Sequence, residues 1–240
     1  MKISIVIASC LKLPTRMKNL IQTVDCIKKH FNDCEIIIPI DKYATSINPT
    51  LPFNDANIKT VFHNKGLGYS FNIGMAMATH DIVLQIEDDW VCTTCLYKTP
   101  SSIETVIEKS INIIESDQFS VVCLTSQPWQ NNYIPGLTFV KDDIYKINKP
   151  EQTKWNKHGY GHYFSNRPHI KNKNIHKEIG PYFDNGTPGE VEVLISKTAI
   201  HSSKINCFCF KDTIFHHIGQ TSLRNIDDPV GKKTWDALKD

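Results

Sequence analysis

The chain has 240 residues, 40% of them hydrophobic, enough for one large α/β unit or two small lobes on a shared core. Its 27 Lys and Arg against 25 Asp and Glu leave a net charge of +2, so overall charge gives no reason to expect binding to nucleic acid or a membrane surface. No apolar run approaches the ~20 residues needed to cross a bilayer, and the stretch ending at Cys10 is far shorter than a signal of ~15–30 residues, so a soluble, cytoplasmic protein is expected.

In chain order, residues 3 to 8 form a β-rich apolar run, and Met17, Leu20, Ile21, Val24, Ile27 and Phe31 then recur at helical spacing. Cys34 to Ile40 reads as a second strand closed by Asp41, and Ile58 to Phe62 as a third. Gly66 and Gly68 turn the chain into a helix expected to end near Thr79. A fourth run, Asp81-Ile-Val-Leu-Gln-Ile-Glu-Asp-Asp-Trp90, has no charge between Ile82 and Ile86 and ends abruptly in three carboxylates. In an open α/β sheet ligands sit in the crevice beyond the carboxyl ends of the strands. Adjacent carboxylates stay ionised together in such a crevice only with a cation between them, and hard oxygen ligands suit Mg²⁺ or Mn²⁺. Taken alone, the triplet could equally begin a solvated turn.

Strand, helix, strand, strand, helix, strand within ninety residues is a nucleotide-binding α/β pattern. Neither Gly-x-Gly-x-x-Gly after the first strand nor Gly-x-x-x-x-Gly-Lys-Ser/Thr is present, which argues against dinucleotide enzymes and P-loop NTPases. A capping box at Ser101-Ser-Ile-Glu104 opens a helix with an apolar stripe from Ile103 to Ile114, and Phe119 to Leu124 reads as a buried strand. Beyond it Trp129, Tyr133, Trp155, Tyr160, Tyr163 and Phe164 stand among polar residues. Such rings could hold a sugar-like acceptor, although each taken singly is more simply a core residue. Residues 141 to 177 hold nine Lys or Arg (141, 146, 149, 154, 157, 167, 171, 173, 177) against three acids (142, 143, 151). Glu190 to Lys197 begins a helix, Ile205 to Phe210 and Thr213 to Ile218 look like a pair of strands, and a terminal helix is expected from Pro229 to Lys239.

Eight cysteines read as packed, reduced thiols. Cys92-Thr-Thr-Cys95 and Cys207-Phe-Cys209 could together offer four thiolates to zinc, but Cys-x-Cys on a strand is an unusual half-site and packing accounts for buried thiols.

These residues carry a resemblance. The segment from Lys2 to Trp90 resembles the nucleotide-sugar-binding half of glycosyltransferases of the GT-A fold, especially the family-2-like group. The matching features are Pro14-Thr15-Arg16 behind the first strand, Asp41, Asn64-x-Gly66, Asn72-x-Gly74, and Glu87-Asp88-Asp89 where the family carries Asp-x-Asp. More weakly, Gly189-Glu-Val-Glu192 falls where many members have Glu-Asp-x-Glu, and His217-x-Gly219 where some place a metal-binding His. The resemblance implies a Rossmann-like α/β/α sandwich with a mostly parallel central sheet, its donor half at 1–117 and its acceptor half at 118–240. It further implies transfer of a sugar from a nucleotide-diphosphate sugar, UDP-sugar favoured, to a carbohydrate or other hydroxyl acceptor. Asp41 would hold the nucleobase, with Ser9 and Arg16 beside it. Asn64, Gly66, Asn72, Glu87 and Asp88 would line the nucleotide-sugar site. Asp89, Glu87 and His217 would ligate Mn²⁺ or Mg²⁺, and Glu190, with Glu192 in reserve, would be the base of an inverting displacement. His217 is preferred to His216 because neighbours on a strand face opposite ways. Two other readings compete: a nucleotidyltransferase or other metal-dependent phosphoryl-transfer enzyme, and a non-enzymatic carbohydrate- or nucleic-acid-binding module built on the basic 141–177 segment.

Overall fold

The computed structural model describes residues 2–11, 14–41, 50–92, 102–125, 137–149, 163–184, 186–210 and 213–219. The first apolar run is β1 (Ser4–Cys10), followed by α1 (Pro14–His30), β2 (Glu35–Asp41), β3 (Ile58–His63), α2 (Gly66–Met77) and β4 (Ile82–Glu87). β1 pairs in parallel with β2 and β4, and β2 with β3. β1 is therefore covered on both edges and both faces, which is why Ile5, Val6 and Ile7 are fully buried and why its sequence shows no alternation.

Register decides where the chemistry falls. Cys10 lies opposite Asp41 and Ala8 opposite Glu87, so the carboxyl ends of β1, β2 and β4 open onto the same edge of the sheet. After Glu87 the chain turns into the short β5 (Trp90–Cys92), then reaches α3 (Ile103–Ser116) and β6 (Ser120–Cys123). The α3 cap is Ser102, whose side chain accepts from the Thr105 amide at 3.1 Å. The cap thus sits one residue later than Ser101, and Glu104 belongs to the first turn of the helix. β7 (Leu137–Lys141) and β8 (Ile144–Ile147) form an antiparallel edge pair. β9 (His169–Asn172) runs antiparallel between β4 and β6, and a 3-10 turn (Lys173–Ile175), α4 (His176–Ile179), α5 (Pro188–His201) and β10 (Asn206–Phe210) follow.

The resulting nine-stranded sheet has the order β3-β2-β1-β4-β9-β6-β10-β8-β7. Only β9 and β8 oppose the common strand direction, so the expected α/β/α sandwich with a mostly parallel sheet is what forms. One core packs α1 (Leu20, Val24, Ile27) and α3 (Ile103, Val106, Ile107) against Ile5, Ile7 and Leu84. The other packs α2 (Phe71, Met75) and α5 (Val191, Ile195, Ala199) against Val6, Ala8 and Val83. Gly74 belongs to this second core because a Cβ there would lie 2.4 Å from Val6 Cγ1. No helix among the described residues is long and apolar enough to cross a membrane.

Several local expectations change. The strands near 205–210 and 213–218 do not pair with each other. β10 joins β6 and β8 in the main sheet, whereas β11 (Phe215–His217) pairs antiparallel with β5 in a separate two-stranded sheet. Tyr163 and Phe164 are core residues, and the Tyr163 hydroxyl donates to the Ile205 carbonyl at 2.9 Å. Trp129, Tyr133, Trp155, Tyr160 and the 229–239 tail lie outside the described residues. The basic 141–177 segment is not one exposed face. Lys171 is fully buried, with Nζ 2.7 Å from both Gln85 Oε1 and the Tyr182 hydroxyl, and burial drives its pKa well down. Lys173 bonds the Ala78 carbonyl at 2.9 Å.

Glu35, at the start of β2, ties four segments together. It accepts from Ser4 Oγ at 2.5 Å, Lys59 Nζ at 2.5 Å, and the Thr79 amide and hydroxyl at 2.9 and 3.0 Å. Partial burial disfavours its charge, but these donors outweigh that and bring its pKa to about 2 from 4.5. A depressed carboxylate pKa stabilises the fold fully above the unfolded value and loses that contribution as pH falls through the folded one. Glu35→Gln should therefore cost about 2–3 kcal/mol at neutral pH. The gap from wild type should close between pH 4.5 and about 2, as read from urea midpoints across that range; a gap independent of pH would remove Glu35 as its source.

Candidate active site

The acidic triplet sits where β4 ends at Glu87 and the chain turns, and its three side chains have different fates. Asp88 is sealed inside at 0% exposure. Its Oδ2 accepts from Ser9 Oγ at 2.6 Å and from the Cys10 amide at 3.2 Å, its backbone carbonyl accepts from Thr23 Oγ1 at 3.0 Å, and its carboxylate pairs with Arg16. Burial pushes the Asp88 pKa up to about 6, with Arg16 opposing. Asp88 and Ser9 thus fasten β4 to β1.

Asp89 is also buried, but only one of its oxygens is fully engaged. Oδ2 receives Arg16 Nη1 at 2.5 Å and His217 Nε2 at 3.2 Å, whereas buried Oδ1 has no hydrogen-bond partner among the described residues. Burial works against its charge, yet the His217 and Arg16 contacts prevail and the Asp89 pKa lies below the usual carboxylate value. His217 reaches it because β11 lies on β5: His217 stands opposite Trp90, their rings 4.7 Å apart, and the Ile218 amide donates to the Asp89 carbonyl at 2.8 Å. His216 points outward and is exposed. Gly219 closes over the carboxylate so tightly that a Cβ would lie 2.3 Å from Asp89 Oδ2.

Glu87, the last residue of β4, is half-buried. Burial, followed by the charge of Asp89, raises its pKa well above the ordinary value, with Arg16 opposing and Asp88 and Glu192 adding to the rise. The site thus carries more negative charge than Arg16 balances. Glu87 and the unpartnered Oδ1 of Asp89 are hard oxygen donors of the kind a divalent cation takes, but the ligand atoms of Glu87, Asp89 and His217 do not close into one cluster among the described residues, and His217 Nε2 is engaged with Asp89 Oδ2.

Glu190 and Glu192 separate clearly. Glu190 closes the α5 capping box: its Oε2 accepts from the Thr187 amide at 2.7 Å and hydroxyl at 2.9 Å, while Thr187 Oγ1 accepts from the Glu190 amide at 3.3 Å. It is exposed, and those bonds lower its pKa. Glu192 lies on the buried stripe with Ile195, Ser196 and Ala199, and accepts from Ser165 Oγ at 2.5 Å and the Asn166 amide at 3.3 Å. Burial raises its pKa against the pull of Ser165 and Arg167. Both signals are present in sequence, as Thr187-x-x-Glu190 and as an i, i+3, i+4, i+7 pattern from 192.

The remaining expected ligand residues scatter around this edge. Asp41, at the end of β2, lies 3.7 Å from His63 Nδ1. That nitrogen accepts from the Lys65 amide at 3.2 Å, so Nε2 carries the proton toward Ser70 Oγ at 2.9 Å. Asn64 is exposed, and Gly66 has φ +84°, a turn that only glycine makes without strain. Asn72 is a clamp. Its amide donates to the Tyr182 carbonyl and Asp184 Oδ1, both at 2.8 Å, and accepts from the Tyr182 amide at 2.8 Å. Ser165, Arg167 and Thr23 carry no motif that marks them in sequence.

No protein-family model matches the chain, and no curated protein matches it in sequence. Solved structures do match in fold. S. aureus TarS 1–349 in complex with UDP-GlcNAc superimposes with a TM-score of 0.57 at 13% identity, over 90% of this chain and 58% of that one. GalNAc-T7 with UDP, GalNAc and Mn²⁺ superimposes with a TM-score of 0.56 at 12% identity, over 90% of this chain and 44% of that one. This chain thus spans about half the length of the proteins it matches. With β1, β2 and β4 delivering Asp41 and the acidic triplet to one sheet edge, the architecture is the GT-A fold of glycosyltransferases.

Proposed function

We propose that the chain is a metal-dependent glycosyltransferase that takes a nucleotide-diphosphate sugar, with UDP-sugars favoured because both fold neighbours were solved with UDP or a UDP-sugar. The observation that carries this reading is the buried, unpartnered Oδ1 of Asp89 beside half-buried Glu87, at the strand ends where α/β sheets bind ligands. Glu87, Asp89 and His217 would hold Mn²⁺ or Mg²⁺. Bound there, the cation would offset the charge that grows on the diphosphate leaving group as the glycosidic bond breaks.

The protein's own residues account for the rest. Arg16 keeps Asp88 and Asp89 ionised side by side. Asp41 is available to the nucleobase at the end of β2. Glu192, held by Ser165, accepts the proton of the acceptor hydroxyl as that oxygen attacks, and a single base of this kind corresponds to inversion at the sugar carbon. Glu192 is preferred to Glu190 because the Glu190 carboxylate is occupied in the helix cap.

A thermal-shift panel of UDP-, GDP-, TDP- and CMP-sugars with and without Mn²⁺ tests the reading. One donor should raise Tm by about 5–10 °C near 100 times its Kd, only with metal, and not in Asp89→Ala. No shift with any donor, or an equal shift without metal, defeats it. Gly219→Ala adds a finer probe: the new methyl must displace the Asp89 carboxylate, so Mn²⁺ affinity should fall roughly 10–100-fold with little loss of fold. Unchanged affinity in a Mn²⁺ titration would take Asp89 out of the ligand set.

A further inference from the structure

A second cluster of ligating side chains lies behind the acidic triplet. Cys26 and His30 are one helical turn apart near the end of α1, and Cys92 ends β5, which packs on that helix. Their three ligand atoms all lie within 4.8 Å of one another, with both cysteines buried and His30 half-buried. We propose that Cys26, His30 and Cys92 form a structural zinc site that locks α1 to β5.

Three observations support this independently of the glycosyltransferase reading. The Cys92 backbone amide donates to Cys26 Sγ at 3.0 Å, which fixes that sulfur beside the end of β5. Glu104 Oε1, in the first turn of α3, lies 3.6 Å from His30 Nδ1, too long for a hydrogen bond but close enough that a small approach would give the carboxylate contact found behind metal-bound imidazoles. The donor set also suits zinc: two sulfurs and an imidazole favour a borderline-soft ion over Mg²⁺ or Mn²⁺. A tetrahedron with bonds of about 2.0–2.3 Å has edges of roughly 3.3–3.8 Å, so donors up to 4.8 Å apart need to close by about an ångström. In sequence Cys92 also opens a Cys-x-x-Cys pair with Cys95, a spacing found in zinc half-sites; Cys95 lies outside the described residues.

The grouping differs from the one suggested by cysteine spacing alone. Cys207 and Cys209 belong to the core on the opposite face of the sheet from Cys92, so a shared four-thiolate site does not form. What Cys92 meets instead is the helix that carries Arg16 and Thr23, both of which touch the acidic triplet. Zinc there would fix the distance between that helix and the strand leaving Asp89. Binding replaces the two thiol protons, which pass to solvent, and no oxidation occurs.

Metal analysis of the full chain, purified without chelator, should find about one zinc per molecule. Zinc should be lost from Cys26→Ser and Cys92→Ser, and kept by Asp89→Ala and Cys207→Ser. Cobalt exchanged into the wild-type protein should give sulfur-to-metal charge-transfer and tetrahedral bands, a readout that does not depend on the variants folding. A strong chelator should lower Tm by about 5–15 °C, restored by zinc and not by magnesium. Protein free of zinc that gives no such cobalt spectrum, a Cys26–Cys92 disulfide in the mass spectrum, or zinc retained by both serine variants would overturn the assignment.

Discussion

Glu192→Gln is expected to lower turnover by roughly 10²–10⁴-fold while leaving metal-dependent donor binding nearly intact. Glutamine keeps the shape and the contacts available to Ser165 and Asn166 but cannot accept the acceptor's proton. Glu190→Gln should do the reverse. It weakens a helix cap at a cost of about 0.5–1 kcal/mol and leaves turnover near wild type, since that carboxylate is bound to Thr187. Measuring transfer, or donor hydrolysis, for both variants with the donor found in the panel decides between them. Loss in Glu190→Gln with retention in Glu192→Gln would restore the order suggested by motif position. Proton uptake adds a second check. A base works only when ionised, and burial raises the Glu192 pKa, so activity should fall on the acid side with its half-point above 4.5, and this limb should vanish in Glu192→Gln.

The parts of the fold that were legible in sequence are those in which local pattern and burial agree. β1, β2 and β4 are unbroken apolar runs because each is covered on both faces, and α1 and α3 show stripes because each has one wet side. β9 was not legible. His169-Ile-Lys-Asn172 looks like a polar loop, yet Lys171 is buried and bonded to Gln85 and Tyr182, a compensation only distant residues supply. The same holds for β11. Its neighbour in sequence is β10, but its partner is β5, and nothing local encodes that choice. At the site, the triplet announced itself because three carboxylates ended an apolar run. The inward turn of Asp88 depends on Ser9 and Arg16 and could not be read from spacing. Glu192 stands on a helical stripe visible in sequence, but motif order ranks Glu190 ahead of it, because the cap that occupies Glu190 shows only in the hydrogen bonds.

Arg16→Ala should destabilise the metal-free protein by about 3–5 kcal/mol, and much of that loss should return with Mn²⁺. The side chains of Asp88 and Asp89 are 0% and 4% exposed, so removing the guanidinium leaves two adjacent carboxylates that water cannot solvate. Ser9 and the Cys10 amide still hold Asp88, while among the described residues the Asp89 side chain keeps only His217 at 3.2 Å. The protein can respond by taking up a proton or a cation. Without metal, the variant should therefore gain stability relative to wild type as the medium is acidified. With Mn²⁺ at neutral pH, the dication supplies the missing positive charge, so the Tm increment on adding metal should be larger in Arg16→Ala than in wild type. An equal increment would mean that the cation does not share the Asp89 field with Arg16, and would move the metal away from the triplet. Arg16→Lys separates charge from shape: the ammonium restores one positive charge but cannot pair with both aspartates at once, so its stability should fall between the two.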